Sequence, residues 1–540
     1  MGWTDLRIMG GGLGALLVVM GLVAGPGFTP VMAQEAPLSA NDWLKGGRPP
    51  PGTASAWRPG DPVPPDAARL RGQGEASPES DNIAENAAAV PVGVRRLSAA
   101  DPDGAGIISA RQAGLPEDFW NGTDLDTAIR MIRANPSLPA SAQITRRVLE
   151  AQLAPPAVSD SARIGEFFAA RVDQLVDAGA LPSARDLLQG AGHNGPDTFR
   201  RLFELSLLLG GDEQVCRQMN LATGIATDPE ARAFCLAQTG DWDAAAVLFL
   251  GATRLGMIDA PTAELMSRYL DDASAESGDL LAPPDPINPL DFRLHEAIGQ
   301  PLPTGDLPLA YAWSDIENHS GWKAQLEAAE RLARARALPA SILDQLYTAQ
   351  RPAASGGVWE RAAAVQALDA ALATGDAARI GPALVTAFQR MEQAGLRDSF
   401  AAIAAPRLQP EILQGDAAHL ALWLRLWAGE TEVARAPEDK LDASLLALAT
   451  GGQPEPLTPA LGALAPVFAA ELPPQPDPKD GIALAPALYG ALADADAGTQ
   501  GDITRAVRGV RMLRELGLIA DARRVATQIA IDPLLKVASQ

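Results

Sequence analysis

Three hydropathy regimes follow one another along the chain. Ile8 to Ala24 is an uncharged, mostly apolar run. Gln34 to about Val90 has no apolar periodicity at all. Beyond that, apolar side chains recur at spacings of three and four: Leu125, Ile129 and Ile132 before Pro136, then Ile164, Phe167, Phe168, Arg171, Val172, Leu175 and Val176, then a similar face over Thr198 to Leu209. Such spacing places the apolar side chains on one face of a helix, so each stretch predicts an amphipathic helix.

Glycine punctuates the helical stretches in two recurring ways. Gly211-Asp212, Gly240-Asp241, Gly375-Asp376, Gly415-Asp416 and Gly501-Asp502 pair a residue that ends one helix cheaply with one that caps the exposed amides of the next. A second junction recurs as Gly179-Ala180-Leu181-Pro182, Gly256-Met257-Ile258-Asp259, Gly395-Leu396-Arg397-Asp398 and Gly517-Leu518-Ile519-Ala520-Asp521. Imperfect alternation of the two is what a decayed repeat of helix pairs leaves behind. The expected fold is therefore all-α, an irregular solenoid of antiparallel helical hairpins behind a disordered N-terminal arm.

The same punctuation divides the chain. Residues 1–33 read as a signal peptide: Arg7 precedes the apolar run, Gly25-Pro26-Gly27 breaks it, and Val31-Met32-Ala33 offers a cleavage site. At 17 residues the run is at the short edge of a membrane span, and an uncleaved anchor is the alternative. No Cys stands at its end, which excludes a lipoprotein. Residues 34–89, rich in Pro, Gly, Ser and charge, bury too little to offset chain entropy and read as a disordered tether. A small turn-rich element is expected over 90–122. Helical hairpins follow over 123–272, a Pro-rich acidic linker over 273–305, a second helical region over 306–471, a Pro-rich break over 472–482 and C-terminal hairpins over 483–540.

Composition sharpens this picture. The 540 residues are 47% hydrophobic but only 5% aromatic, so alanine carries much of the apolar share and suits closely packed helices better than a sheet. The net charge of −22 repels phosphate backbones and anionic lipid, which argues against nucleic acid and against electrostatic membrane docking. Basic or neutral partners remain open, and a membrane enters only through a retained N-terminal segment. The preference for Arg over Lys, with the Ala, Gly and Pro excess, points to a high-GC bacterial genome and hence to a periplasm as the destination.

The run Phe234-Cys235-Leu236-Ala237-Gln238-Thr239-Gly240-Asp241-Trp242-Asp243-Ala244-Ala245 resembles the turn between the two helices of a tetratricopeptide repeat, with Gly240 at the tight contact and Ala245 at the small crossing position. Leu205 to Cys216 repeats it, with Gly211-Asp212 at the turn. Gly211 and Gly240 are 29 residues apart where the family has 34, and later units keep only the Gly-Asp turn, so the resemblance covers two repeats. It implies a helical surface that binds peptides or proteins. The chain as a whole is similar to exported bacterial proteins labelled antifreeze glycopeptide-related. Ice binding needs a flat array of Thr or glycosylated Ala-Ala-Thr units, and neither is present.

Candidate chemistry is sparse. Cys216 and Cys235 are the only cysteines, placed nearly symmetrically about a turn near Gly224 to Thr227, so an antiparallel hairpin brings them to one height, and export favours a disulfide. Asp101-Pro102-Asp103-Gly104-Ala105-Gly106-Ile107-Ile108 resembles the start of an EF-hand loop, but Ala105 replaces a ligand and Gln112 stands in place of the bidentate Glu, leaving an Asp-Gly turn. His295-Glu296 starts a zinc-protease motif that lacks its second His. His193, His295, His319 and His419 are scattered and read as surface or cap residues. Trp423 and Trp427 share a helical face with Leu420 and Leu424, a core stripe, with an exposed stacking pair as the alternative. No catalytic set, cofactor site or metal site emerges. The expectation is a non-catalytic scaffold or adaptor for envelope proteins or peptides. A helical peptidoglycan-acting enzyme and a small-ligand carrier are the alternatives. An enzyme would show a carboxylate buried in a deep pocket, an adaptor a broad groove with exposed aromatics and arginines.

Overall fold

Aspartate side chains open many of the helices. In the computed structural model, which describes residues 101–539 apart from 159, 193–194, 223, 227, 272–279, 318–319 and 470–482, the carboxylates of Asp124, Asp241, Asp259, Asp376, Asp439 and Asp502 each accept from an amide in the helical turn that follows. Those amides have no partner within their helix, so the cap satisfies what helix geometry leaves open. Three of the five expected Gly-Asp junctions have this form. At Gly211-Asp212 and Gly415-Asp416 the glycine is the flanking residue and the aspartate is already helical. The stretches expected as signal peptide (1–33), tether (34–89) and Pro-rich break (472–482) lie outside the described residues.

The described residues hold 23 α-helices and one two-stranded parallel ribbon, β1 (Ile108–Ser109) with β2 (Ala151–Gln152). The one-turn α1 (Ala110–Ala113), α2 (Leu125–Ile132) and α3 (Pro139–Glu150) accompany the ribbon. Hairpins follow as α4 (Glu166–Asp177) with α5 (Leu181–Ala191), α6 (Pro196–Leu209) with α7 (Asp212–Leu221), and α8 (Pro229–Gln238) with α9 (Trp242–Arg254). Next come α10 (Ala260–Leu270), α11 (Pro289–Ala297), α12 (Ala312–Glu317), α13 (Trp322–Arg334), α14 (Ala340–Thr348), α15 (Val358–Thr374), α16 (Ala377–Gln393) and α17 (Arg397–Ala404). The last six are α18 (Asp416–Ala428), α19 (Lys440–Thr450), α20 (Pro459–Ala469), α21 (Leu484–Asp496), α22 (Ile503–Glu515) and α23 (Ile519–Ala538). The all-α array of antiparallel hairpins expected from the periodicity is present.

Two features exceed nearest-neighbour stacking. The segment expected as a linker over 273–305 carries α11, because Asn288 caps it, Pro289 starts it, and Leu290, Phe292 and Leu294 are buried. Both α11 and α12 pack on α6, so the chain doubles back there. Trp313 fixes this return by donating its indole N–H to the carbonyl of Gly179 at 2.6 Å.

The second feature is closure. The C-terminal α23 packs against α18, α19, α20, α22 and also α3, some 380 residues earlier in the chain. Gln528 is fully buried there; it accepts from the Ala140 amide at 3.0 Å and donates to the Trp427 carbonyl at 2.9 Å. Asp496 accepts from the amides of Ser137 and Leu138, Arg147 pairs with Asp521 at 2.7 Å, and Trp120 stacks on Tyr489. The two ends of the described array are thus joined by polar contacts as well as by packing.

The turn-rich element is held from beneath. Buried Arg171 donates to the carbonyls of Leu149, Ala151, Asp103 and Ala105 at 2.6–3.2 Å, and burial lowers its pKa to about 10. Asp103 accepts from the amides of Gly165 and Phe168 at 2.8 and 2.7 Å, so it caps α4 from a distant segment. The carboxylate that resembled a calcium ligand is spent on that cap.

Candidate functional site

Cys216 on α7 and Cys235 on α8 are joined in a disulfide with Cα atoms 4.7 Å apart. Both positions are fully buried between the two helices, as symmetric placement about the turn requires. The bond ties α7 to α8, and so joins one hairpin to the next, in which α8 packs against α9.

The outward side of α9 is unusual. Twelve large apolar side chains are exposed among the described residues, and six of them, Leu221, Trp242, Val247, Leu250, Leu255 and Met257, fall in the stretch from the end of α7 to just beyond α9. Within α9, Ala245, Phe249 and Ala252 face α8 and α10 and are buried, whereas Val247 and Leu250, three residues apart, share the opposite side. Val247 is 73% exposed and Leu255 76%. Trp242 lies against Tyr269 of α10 with its rings 5.6 Å apart and still remains half open to solvent. Exposed Asp241, Asp243 and Asp259 flank this stretch against a single Arg254.

Buried carboxylates offer the competing kind of site. Glu330 is held by Nε and Nη2 of Arg361 at 2.6 Å and by the Tyr347 hydroxyl at 2.9 Å. Asp291 accepts from Thr262 and Asn288, and Asp532 pairs with Arg397 and Lys536. These groups, like Asp103, are consumed by internal partners. Asp442 differs, because it also lines a cleft of about 300 Å³ between α18, α19 and the turn around Glu411.

That cleft is built from two helix starts. His419 and Trp423 lie one turn apart on α18, and their rings stack with centroids 5.9 Å apart. Asp442 Oδ2 lies 2.7 Å from His419 Nδ1, while its Oδ1 accepts the Trp423 indole N–H at 2.8 Å. Asp439 caps α19 through Oδ1, which accepts from the amides of Leu441 and Asp442. Trp427, by contrast, is core: its indole N–H meets Asp398 at 2.9 Å and the Arg397 guanidinium lies over its ring.

The other expected residues fall elsewhere. His295 is wholly buried on α11 with neither ring nitrogen partnered, so it is a core residue rather than a surface or cap one, and burial depresses its pKa. His193 and His319 lie outside the described residues. A further cleft of about 350 Å³ collects Arg146, Arg336 and Arg524 without a carboxylate in its wall. Two of these guanidiniums act as pins: Arg336 donates to Asp398 and to the Pro136 and Ser137 carbonyls, and Arg524 to Gln143 and the Ala428 carbonyl.

No protein-family model, curated protein or solved structure gives a match to this chain. The residues themselves therefore carry the functional argument.

Proposed function

We propose that the protein is an exported, non-catalytic adaptor of the bacterial periplasm, which docks a segment of an envelope protein on the outward side of α9. The carrying observation is the run of five exposed apolar side chains, Trp242, Val247, Leu250, Leu255 and Met257, on that one helix and the turn after it, where a monomeric surface ordinarily scatters them. The occupant that fits is a segment with apolar anchors flanked by Lys or Arg, since Asp241, Asp243 and Asp259 border the stretch and the chain carries a net charge of −22. The likeness of α6 to α9 to tetratricopeptide hairpins supports the same reading, because paired helices of that kind present extended binding surfaces. The disulfide is compatible with an oxidising compartment. Photo-crosslinking in cells from position 250 tests the docking: a discrete adduct from Leu250 and none from exposed Arg111 is expected, and equal labelling from both would overturn it.

A second reading, a helical envelope enzyme, is favoured only by Asp442 in its cleft. Its test is peptidoglycan cleavage by the purified chain, lost in Asp442→Asn with folding intact.

A further inference from the structure

The cleft beside α19 brings together a group of side chains suited to a cation, and it does so independently of the α9 surface. One nitrogen of His419 and one oxygen each of Asp439 and Asp442 all lie within 4.8 Å of one another, the one such His/Cys/Asp/Glu group among the described residues. We propose that His419, Asp439 and Asp442 bind one divalent first-row transition cation.

The hydrogen bonds around the group divide the labour between atoms. Asp439 spends Oδ1 on the α19 amides and retains Oδ2. Asp442 has Oδ1 fixed by the Trp423 indole, which leaves Oδ2, the atom 2.7 Å from His419 Nδ1. A cation replaces the proton shared by that nitrogen and oxygen, and the 2.7 Å hydrogen-bond contact opens by a few tenths of an ångström when both atoms ligate one metal at about 2.0–2.2 Å. The Trp423 donor and the α19 amides then act as outer partners that hold the carboxylates in place. Two carboxylates offset a double positive charge. The imidazole favours Zn²⁺ and its neighbours over Ca²⁺ or Mg²⁺, which take oxygen ligands. Three protein ligands leave further coordination open toward the cleft; Glu411 in its wall adds negative charge, while Glu438 is paired with Arg435 of the same wall.

The test is calorimetric titration of the untagged, full chain with zinc chloride, in which no thiol competes because both cysteines are bonded to each other. One Zn²⁺ per chain is expected, with Ca²⁺ binding far more weakly. Asp439→Asn keeps the helix cap, since Asn caps as well as Asp, yet it should weaken Zn²⁺ at least tenfold. His419→Gln should do the same. Trp423→Phe touches no metal and should still weaken binding about tenfold, a loss that a purely structural His–Asp contact does not produce. Far-UV circular dichroism and melting of each variant establish that it is folded. Absence of stoichiometric Zn²⁺ on the wild type, or equal binding by folded Asp439→Asn and His419→Gln, overturns the proposal.

Discussion

Gln528 is where closure of the array can be broken with one substitution. Its side chain joins two helix ends that cannot satisfy themselves: the Ala140 amide lies in the first turn of α3, and the Trp427 carbonyl in the last turn of α18. Gln528→Leu keeps the volume but strands a buried donor and a buried acceptor, each costing about 1–3 kcal/mol. The leucine offsets part of this by burying more apolar surface, so the net loss should be about 2–4 kcal/mol. Hydrogen exchange read by mass spectrometry gives the loss locally, without assuming that the long chain unfolds in one step. Peptides covering α3 and the end of α18 should lose protection together, while those covering α8 and α9 should not change. Unchanged exchange in α3, or a stability change under about 0.5 kcal/mol, would refute the closure argument, since surface substitutions commonly stay within that range.

Other expectations follow from single contacts. Replacing Cys216 and Cys235 by Ala should cost about 3 kcal/mol in the chain-entropy description for a separation of 19 residues, measured by urea denaturation of the oxidised protein and the variant. At Gly509 on α22 an added Cβ lies 2.5 Å from the Ala491 carbonyl oxygen and from the Ala495 amide of α21, so Gly509→Ala should destabilise by about 1–3 kcal/mol despite a gain in helix propensity; a rise in melting temperature would contradict this. His295 is buried and unpaired with its pKa held below the ordinary value, so the unfolded chain takes up its proton first as pH falls. Stability of the wild type should therefore drop below about pH 6.5 more steeply than that of His295→Leu, and parallel pH profiles would contradict the assignment.

What the sequence reveals is what is local. Both kinds of glycine junction mark helix ends because capping acts over three or four residues, and the disulfide is legible because Cys216 and Cys235 flank one turn symmetrically. The helix at Pro289–Ala297 has its own signals in Asn288 and Pro289, but the surrounding prolines read as a linker. Closure by Gln528 joins groups 388 residues apart, and no local pattern carries such a pairing. The His419 cleft is hidden for the same reason: Asp442 lies 23 residues further on, on a different helix, and only packing of α18 beside α19 brings the two together. Asp103 resembles a metal ligand only because its loop starts like an EF-hand before Ala105 and Gln112 depart from the pattern, whereas its actual partners, Gly165 and Phe168, lie more than 60 residues away.

The most direct test of the adaptor account is the size of the native assembly when the α9 surface is charged. Val247→Asp with Leu250→Asp alters two exposed side chains, so the fold should stay intact by circular dichroism. Gentle extraction of the envelope followed by native electrophoresis should show the wild type in a complex larger than the free chain, and the double variant released to the size of the free chain. A complex of undiminished size in the double variant would contradict docking on α9.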